Sequence, residues 1–155
     1  LSEGLSFKID WKWRMVATCF WIGYFPLAPA TACSFVVTLF VWITGALVSP
    51  FYLPAVVAVT AVGVVASSVA ERQYGRDGHP IVIDEVAGQM IAFLGHPPSA
   101  ATFIGGFLLF RLFDIVKPFP ANRSQRLVSG VGVMADDVVA GIYANLALWA
   151  IVALL

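Results

Sequence analysis

Residues 15–70 form 56 consecutive positions without a single Asp, Glu, Lys or Arg. An ordinary soluble domain carries roughly one charged residue in four, so a gap of this length is foreign to it. A hydrocarbon layer about 30 Å thick is crossed by ~20 apolar residues in a helix, and this gap has room for two such spans. They are expected at about 32–49 and 53–70, hinged at Ser49-Pro50, where the proline disfavours a continuous helix. Residues 86–110 carry no such charge either, His96 aside, nor do residues 138–155. The 155-residue chain is 60% hydrophobic, with nine basic and nine acidic side chains. That composition excludes disorder, which needs low hydrophobicity and high net charge. Balanced charges also leave no electrostatic footprint for a nucleic acid. Cys19 and Cys33 are too few for a disulfide framework and lack metal-site spacing. The expectation is an all-α fold, a small polytopic membrane helical bundle in one domain, 1–155.

The few charges fall in clusters, within 1–14, 71–85 and 111–126, with Asp136 and Asp137 last. In the first, Phe7, Trp11 and Trp13 alternate with Lys8, Lys12 and Arg14. This segment is not a secretory signal as it stands. Aromatic and basic residues together favour the membrane interface, so 1–14 is expected to be an amphipathic interfacial segment. The run 86–110 is broken by His96-Pro97-Pro98-Ser99. Two helices at about 83–95 and 100–115, a broken-helix hairpin, follow from the loss of two backbone donors. Irregular backbone within a bilayer needs protein or water around it. A hairpin returns the chain to the side it left, which puts all the charged clusters on one face of the membrane. A last helix at about 137–155 carries the C-terminus into or across the bilayer. Basic residues in short loops favour the cytoplasmic side.

The acids are grouped: Asp84-Glu85 and Asp136-Asp137 each precede an apolar helix, and Asp114 lies between Arg111 and Lys117. Carboxylates at helix starts gain from the macrodipole, but that alone does not explain two acidic pairs beside an Arg-x-x-Asp-x-x-Lys face. Residues three apart share a helical face. Oxygen ligands suit Mg²⁺, usually bound by one or two carboxylates plus a substrate phosphate, while Arg and Lys pair with phosphate oxygens. Closely spaced carboxylates repel one another unless a cation joins them. The pattern therefore points to a Mg²⁺-dependent enzyme acting on a phosphate presented by a lipid. Gly88 and Gly141 each lie four residues after an acid, where small residues let membrane helices approach.

Three stretches, IVIDEVAG (81–88), FRLFDIVKPFP (110–120) and GVGVMADDVVAG (130–141), resemble the phosphatidylglycerophosphatase A family in content, order and spacing. With the N-terminal loop, the resemblance covers about 20–155. It implies a small all-helical bacterial membrane phosphatase of phospholipid biosynthesis, in the inner membrane with its site facing the cytoplasm. Such an enzyme is Mg²⁺-dependent and removes the terminal phosphate of phosphatidylglycerophosphate to leave phosphatidylglycerol. By position, Asp84, Glu85, Asp114, Asp136 and Asp137 fall on the family's acidic motif positions, and Arg111 and Lys117 on its basic ones. All five acids, Asp84, Glu85, Asp114, Asp136 and Asp137, are candidate Mg²⁺ ligands, with Asp84, Asp136 and Asp137 foremost, and Arg111 and Lys117 are expected to neutralise phosphate. Glu85 or Asp114 then activates or positions the nucleophile, with Asp84 also in the catalytic group. The loop PLAPATACS (26–34) departs from the family's usual form, because Ala30 and Cys33 replace glycines that would let backbone N–H groups cradle a phosphate. Thr31 and Ser34 retain hydroxyls for binding.

Other classes fit less well. A phosphatidyltransferase would carry Asp-Gly-x2-Ala-Arg, and a histidine-dependent lipid phosphatase a Ser-Gly-His motif; neither occurs. A cation channel would hold its acids at mid-span. His79 reads as a solvated loop histidine, His96 as non-catalytic, and Cys19 as a packing residue.

Overall fold

A computed structural model describes residues 9–124, 127 and 129–154, and among them there are helices and turns but no strand. The first eight positions of the expected interfacial segment lie outside these residues. Its remainder forms α1 (Trp11–Ala17), begun by Asp10, whose carboxylate accepts from the Lys12 N–H at 2.8 Å. Ile9 and Ala17 are buried against α3, while Trp11 faces outward. Three successive left-handed residues, Cys19, Phe20 and Trp21, then reverse the chain. Phe20, Trp21, Tyr24 and Phe25 are left exposed there, the aromatic belt expected where a membrane meets water.

The long uncharged stretch folds as the expected pair of helices, with shifted ends. Helix α2 (Pro29–Thr44) starts about three residues early because Pro29 takes the first helical position, where its missing N–H costs nothing. It stops at Gly45, whose left-handed φ of 64° closes the last turn. A 3-10 turn at Ala46–Val48 occupies the residues expected to continue it. Helix α3 (Tyr52–Tyr74) carries Glu71 and Arg72 beyond the apolar segment before ending at Gly75. Its best window has a mean hydropathy of 2.1, yet only 28% of that window is buried. The helix is long and apolar enough to cross a membrane. Helix α7 (Gly130–Leu154) is the second helix long and apolar enough to cross a membrane.

Between them, α4 (Ile83–Phe93) and α5 (Ala100–Val116) form the broken hairpin. Eleven residues reach only about 16 Å, about half of what a bilayer core needs. Asn145 of α7 satisfies the end of α4: its amide lies 3.1, 3.3 and 2.7 Å from the carbonyl oxygens of Ile91, Ala92 and Leu94. Ser99 caps α5 by accepting from the Thr102 N–H at 3.1 Å, and Thr102 donates to the Pro97 carbonyl at 2.7 Å. His96 stacks on Trp149 at 4.4 Å, at the same end of the bundle.

One expectation needs correcting. Helix α7 begins at Gly130, about seven residues early, so Asp136 and Asp137 lie in its second turn rather than at its start. The cause is contact with α3. The Gly130 N–H donates to Ser68 Oγ at 3.1 Å, and a Cβ at Gly130 would run into the Val64 carbonyl. Helix α4 packs closely on α7, through Gly88 and Gly141. A Cβ on Gly141 would collide with the Gly88 carbonyl oxygen, and one on Gly88 with the Phe110 ring. The short α6 (Ala121–Ser124) lies between α5 and α7.

Candidate active site

Four helix segments meet at one end of the bundle: the first turns of α2 and α4, the last turns of α5, and the second turn of α7. The loop 75–80 closes over them. They enclose a cavity of about 460 Å³ lined by all five predicted acids together with Thr31, Arg111 and Lys117. The acids are buried, Asp137 most deeply at 2% exposure.

The cations are fixed by the acids around them. Arg111 Nη1 lies 2.5 Å from Glu85 Oε2, and its Nη2 lies 3.1 Å from Asp114 Oδ2. The guanidinium thus bridges two helices with its planar fork. Lys117 Nζ lies 2.5 Å from Asp136 Oδ2 and 3.9 Å from Asp114 Oδ1. Partial burial alone would lower the pKa of the Lys117 ammonium, but the Asp136 hydrogen bond and charge outweigh it and raise the value. Ser34 does not stand free as a phosphate donor. Its hydroxyl donates to Glu85 Oε2 at 3.0 Å, which makes it a support for the Glu85–Arg111 pair. Asp84 Oδ1 accepts from the Glu85 N–H at 3.0 Å.

Glu85, Asp114 and Asp137 each bring a carboxylate oxygen to within 4.8 Å of the others. The trio is a subset of the five acids read from the sequence as metal ligands; Asp136 pairs with Lys117, while Asp137 groups with the acids of α4 and α5. Asp137 Oδ2 is buried without a hydrogen-bond partner. An orphaned buried carboxylate oxygen is costly, and three hard oxygen donors, that of Asp137 included, suit a metal ion. The cluster can hold one.

The positions of the replaced glycines are helical. Ala30 and Cys33 both lie within α2, where no left-handed conformation is required; the left-handed residue is Ala28. Cys33 is not among the residues lining the cavity, and its thiol donates to the Val82 carbonyl at 3.3 Å. Two cavity residues escaped the acidic-motif reading, Asp77 and His79. The only sequence signal for them is their position in the polar loop just before Asp84.

A sequence model of the phosphatidylglycerophosphatase A family matches residues 15–152. The chain belongs to that family. It is therefore an enzyme, a phosphoric monoester hydrolase with the phosphatidylglycerophosphatase A fold. A Bacteroides thetaiotaomicron protein named "Putative phosphatidylinositol-3-phosphatase" is 36% identical over 83% of this chain and 86% of its own length. The Escherichia coli phosphatidylglycerophosphatase A is 30% identical over 87% of this chain and 80% of its own. That of Haemophilus influenzae is 43% identical over 48% of this chain and 47% of its own. No solved structure matches the chain significantly.

Arg111→Lys keeps the charge but cannot bridge Glu85 and Asp114 at once. Phosphate release by this variant is expected to fall roughly 10²-fold, measured on protein with unchanged helix content.

Proposed function

We propose that the protein hydrolyses the terminal phosphomonoester of phosphatidylglycerophosphate, with Mg²⁺, to phosphatidylglycerol and phosphate in phospholipid biosynthesis. The observation that carries this reading is the meeting of five buried acids with Arg111 and Lys117 in one cavity at the membrane-surface end of a lipid-facing bundle. Every Lys and Arg among the described residues falls in segments at that end. The positive-inside rule therefore favours the cytoplasmic face, here of a bacterial inner membrane.

Glu85, Asp114 and Asp137 are the proposed metal ligands, with Asp84 and Asp136 completing the carboxylate wall. Mg²⁺ held there would polarise phosphate oxygens and lower the pKa of a bound water. Arg111 and Lys117 balance the remaining phosphate charge. The first N–H groups of α2, at Ala30 and Thr31, line the same cavity and have no intrahelical acceptor. A helix start of this kind favours an anion, and the Thr31 hydroxyl adds a donor. Asp84 stands outside the ion pairs of Arg111 and Lys117 among the described residues. An un-neutralised carboxylate is the better base, so Asp84 is assigned to receive the proton of the attacking water. Water adds to phosphorus, the bond from phosphorus to the lipid oxygen breaks, and that oxygen takes up the proton received by Asp84 and leaves as the alcohol.

The Bacteroides relative's name raises a second lipid phosphomonoester, phosphatidylinositol 3-phosphate. Purified protein in detergent micelles is expected to release phosphate from phosphatidylglycerophosphate, and from the phosphoinositide more slowly. Chelation with EDTA should stop the reaction and added Mg²⁺ restore it. Release from the phosphoinositide alone would replace the substrate. Release from neither lipid would refute the reading.

A further inference from the structure

The acidic cavity shares a wall with a smaller apolar hollow of about 260 Å³. Ala28 and Thr31 line both. The rest of the hollow is made by Phe25 and Leu27 ahead of α2, Ala32 and Phe35 on α2, and Phe107 on α5. Phe35 and Phe107 meet edge to face at 6.1 Å and join the two helices. None of these side chains is charged, and Leu27 is 75% exposed, toward the surroundings of the bundle. Ile115, near the end of α5, lines the acidic cavity and is 73% exposed. The polar site thus opens sideways between the start of α2 and the end of α5, directly onto apolar surface.

A phosphate and an apolar hollow in contact through two small residues match the two ends of one amphiphile. We infer that this hollow seats the first part of an acyl chain of the lipid substrate, which enters laterally from the bilayer between α2 and α5. The inference rests on the lipid-phosphatase reading and adds where the lipid lies. A larger apolar groove, of about 610 Å³ between α2 and α3, is the rival seat. It includes Phe40 and Phe51 but shares no lining residue with the acidic cavity, whereas the smaller hollow shares two.

Ala32→Phe fills the hollow. Its KM for long-chain phosphatidylglycerophosphate is expected to rise about tenfold, the scale of a lost apolar subsite. The variant should also lose the wild-type preference for the long-chain lipid over the deacylated headgroup. Phe40→Ala, in the rival groove, should keep that preference. An unchanged preference in Ala32→Phe, or its loss in Phe40→Ala alone, would overturn the assignment.

A second measurement uses the wild-type protein and a non-hydrolysable phosphonate lipid carrying a diazirine in its acyl chain. Relative to phosphatidylcholine with the same labelled chain, crosslinks should be enriched in residues 25–35 and around Phe107. Enrichment around Phe40 and Phe51, or no enrichment anywhere, would refute the seat. Because this readout needs no turnover, it separates a misplaced acyl chain from a failed phosphatase reading, which wild-type protein inactive on every lipid phosphomonoester would reveal.

Discussion

Asp137→Asn should lower phosphate release by roughly 10³-fold while leaving the helix content intact. Asn has the shape of Asp, so the bundle keeps its packing and the change is electrostatic. Asp137 is the deepest of the five acids, and its Oδ2 is buried without a partner. It is also the member of the Glu85–Asp114–Asp137 trio that lies outside the Arg111 ion pairs. Removing it deletes the carboxylate whose charge is least compensated by the protein itself. Two results should therefore move in opposite directions. The metal-free protein should melt no lower than wild type, because repulsion among buried carboxylates is relieved. The rise in melting temperature that Mg²⁺ gives wild type, by binding the folded state alone, should vanish. Thermal melts with and without Mg²⁺, beside a phosphate-release assay, check both. A variant within tenfold of wild-type activity would remove Asp137 from the site.

The sequence made the end of the bundle that bears the site legible, because charge is scarce and each charged cluster lies beside a helix end. Helix hairpins over 29–74 and 83–116 then bring Thr31, Asp84, Arg111 and Asp114 to one face. The grouping within that face was not legible. Asp136 and Asp137 are neighbours in sequence but about 100° apart around α7. Which of them meets Lys117 and which meets α4 depends on the rotation of α7, set by its contacts with α3 and α4. The start of α7 was hidden for the same reason: Gly130 is held by Ser68 and Val64, which are 62 and 66 positions earlier in the chain. Asn145 carried no signal at all, since its partners are carbonyls at the end of a helix whose depth only packing fixes. Ser34 was found as a polar residue near the site, but its place under Glu85 required the α2–α4 contact.

Gly141→Ala, a single added methyl about one turn beyond Asp137, should destabilise the fold by about 1–3 kcal/mol and cut activity on the order of 10²-fold. The new Cβ would meet the carbonyl oxygen of Gly88, which is backbone and cannot rotate away. The remaining relief is for α4 and α7 to separate, which carries Asp84 and Glu85 away from Asp137. Gly105→Ala provides the contrast within the same bundle. Its Cβ would come 3.0 Å from Leu148 Cδ1, the mobile end of a side chain, so a rotamer change can absorb it. Thermal melts and phosphate release should rank the two variants in that order. Equal losses would mean that the helix spacing at Gly141 does not set the site. Full activity in a destabilised Gly141→Ala would show that the acids tolerate separation, and with it that the metal-ligand trio is not held by the α4–α7 contact. The two measurements together therefore distinguish a glycine needed for packing from one needed to bring carboxylates of two helices to the same phosphate.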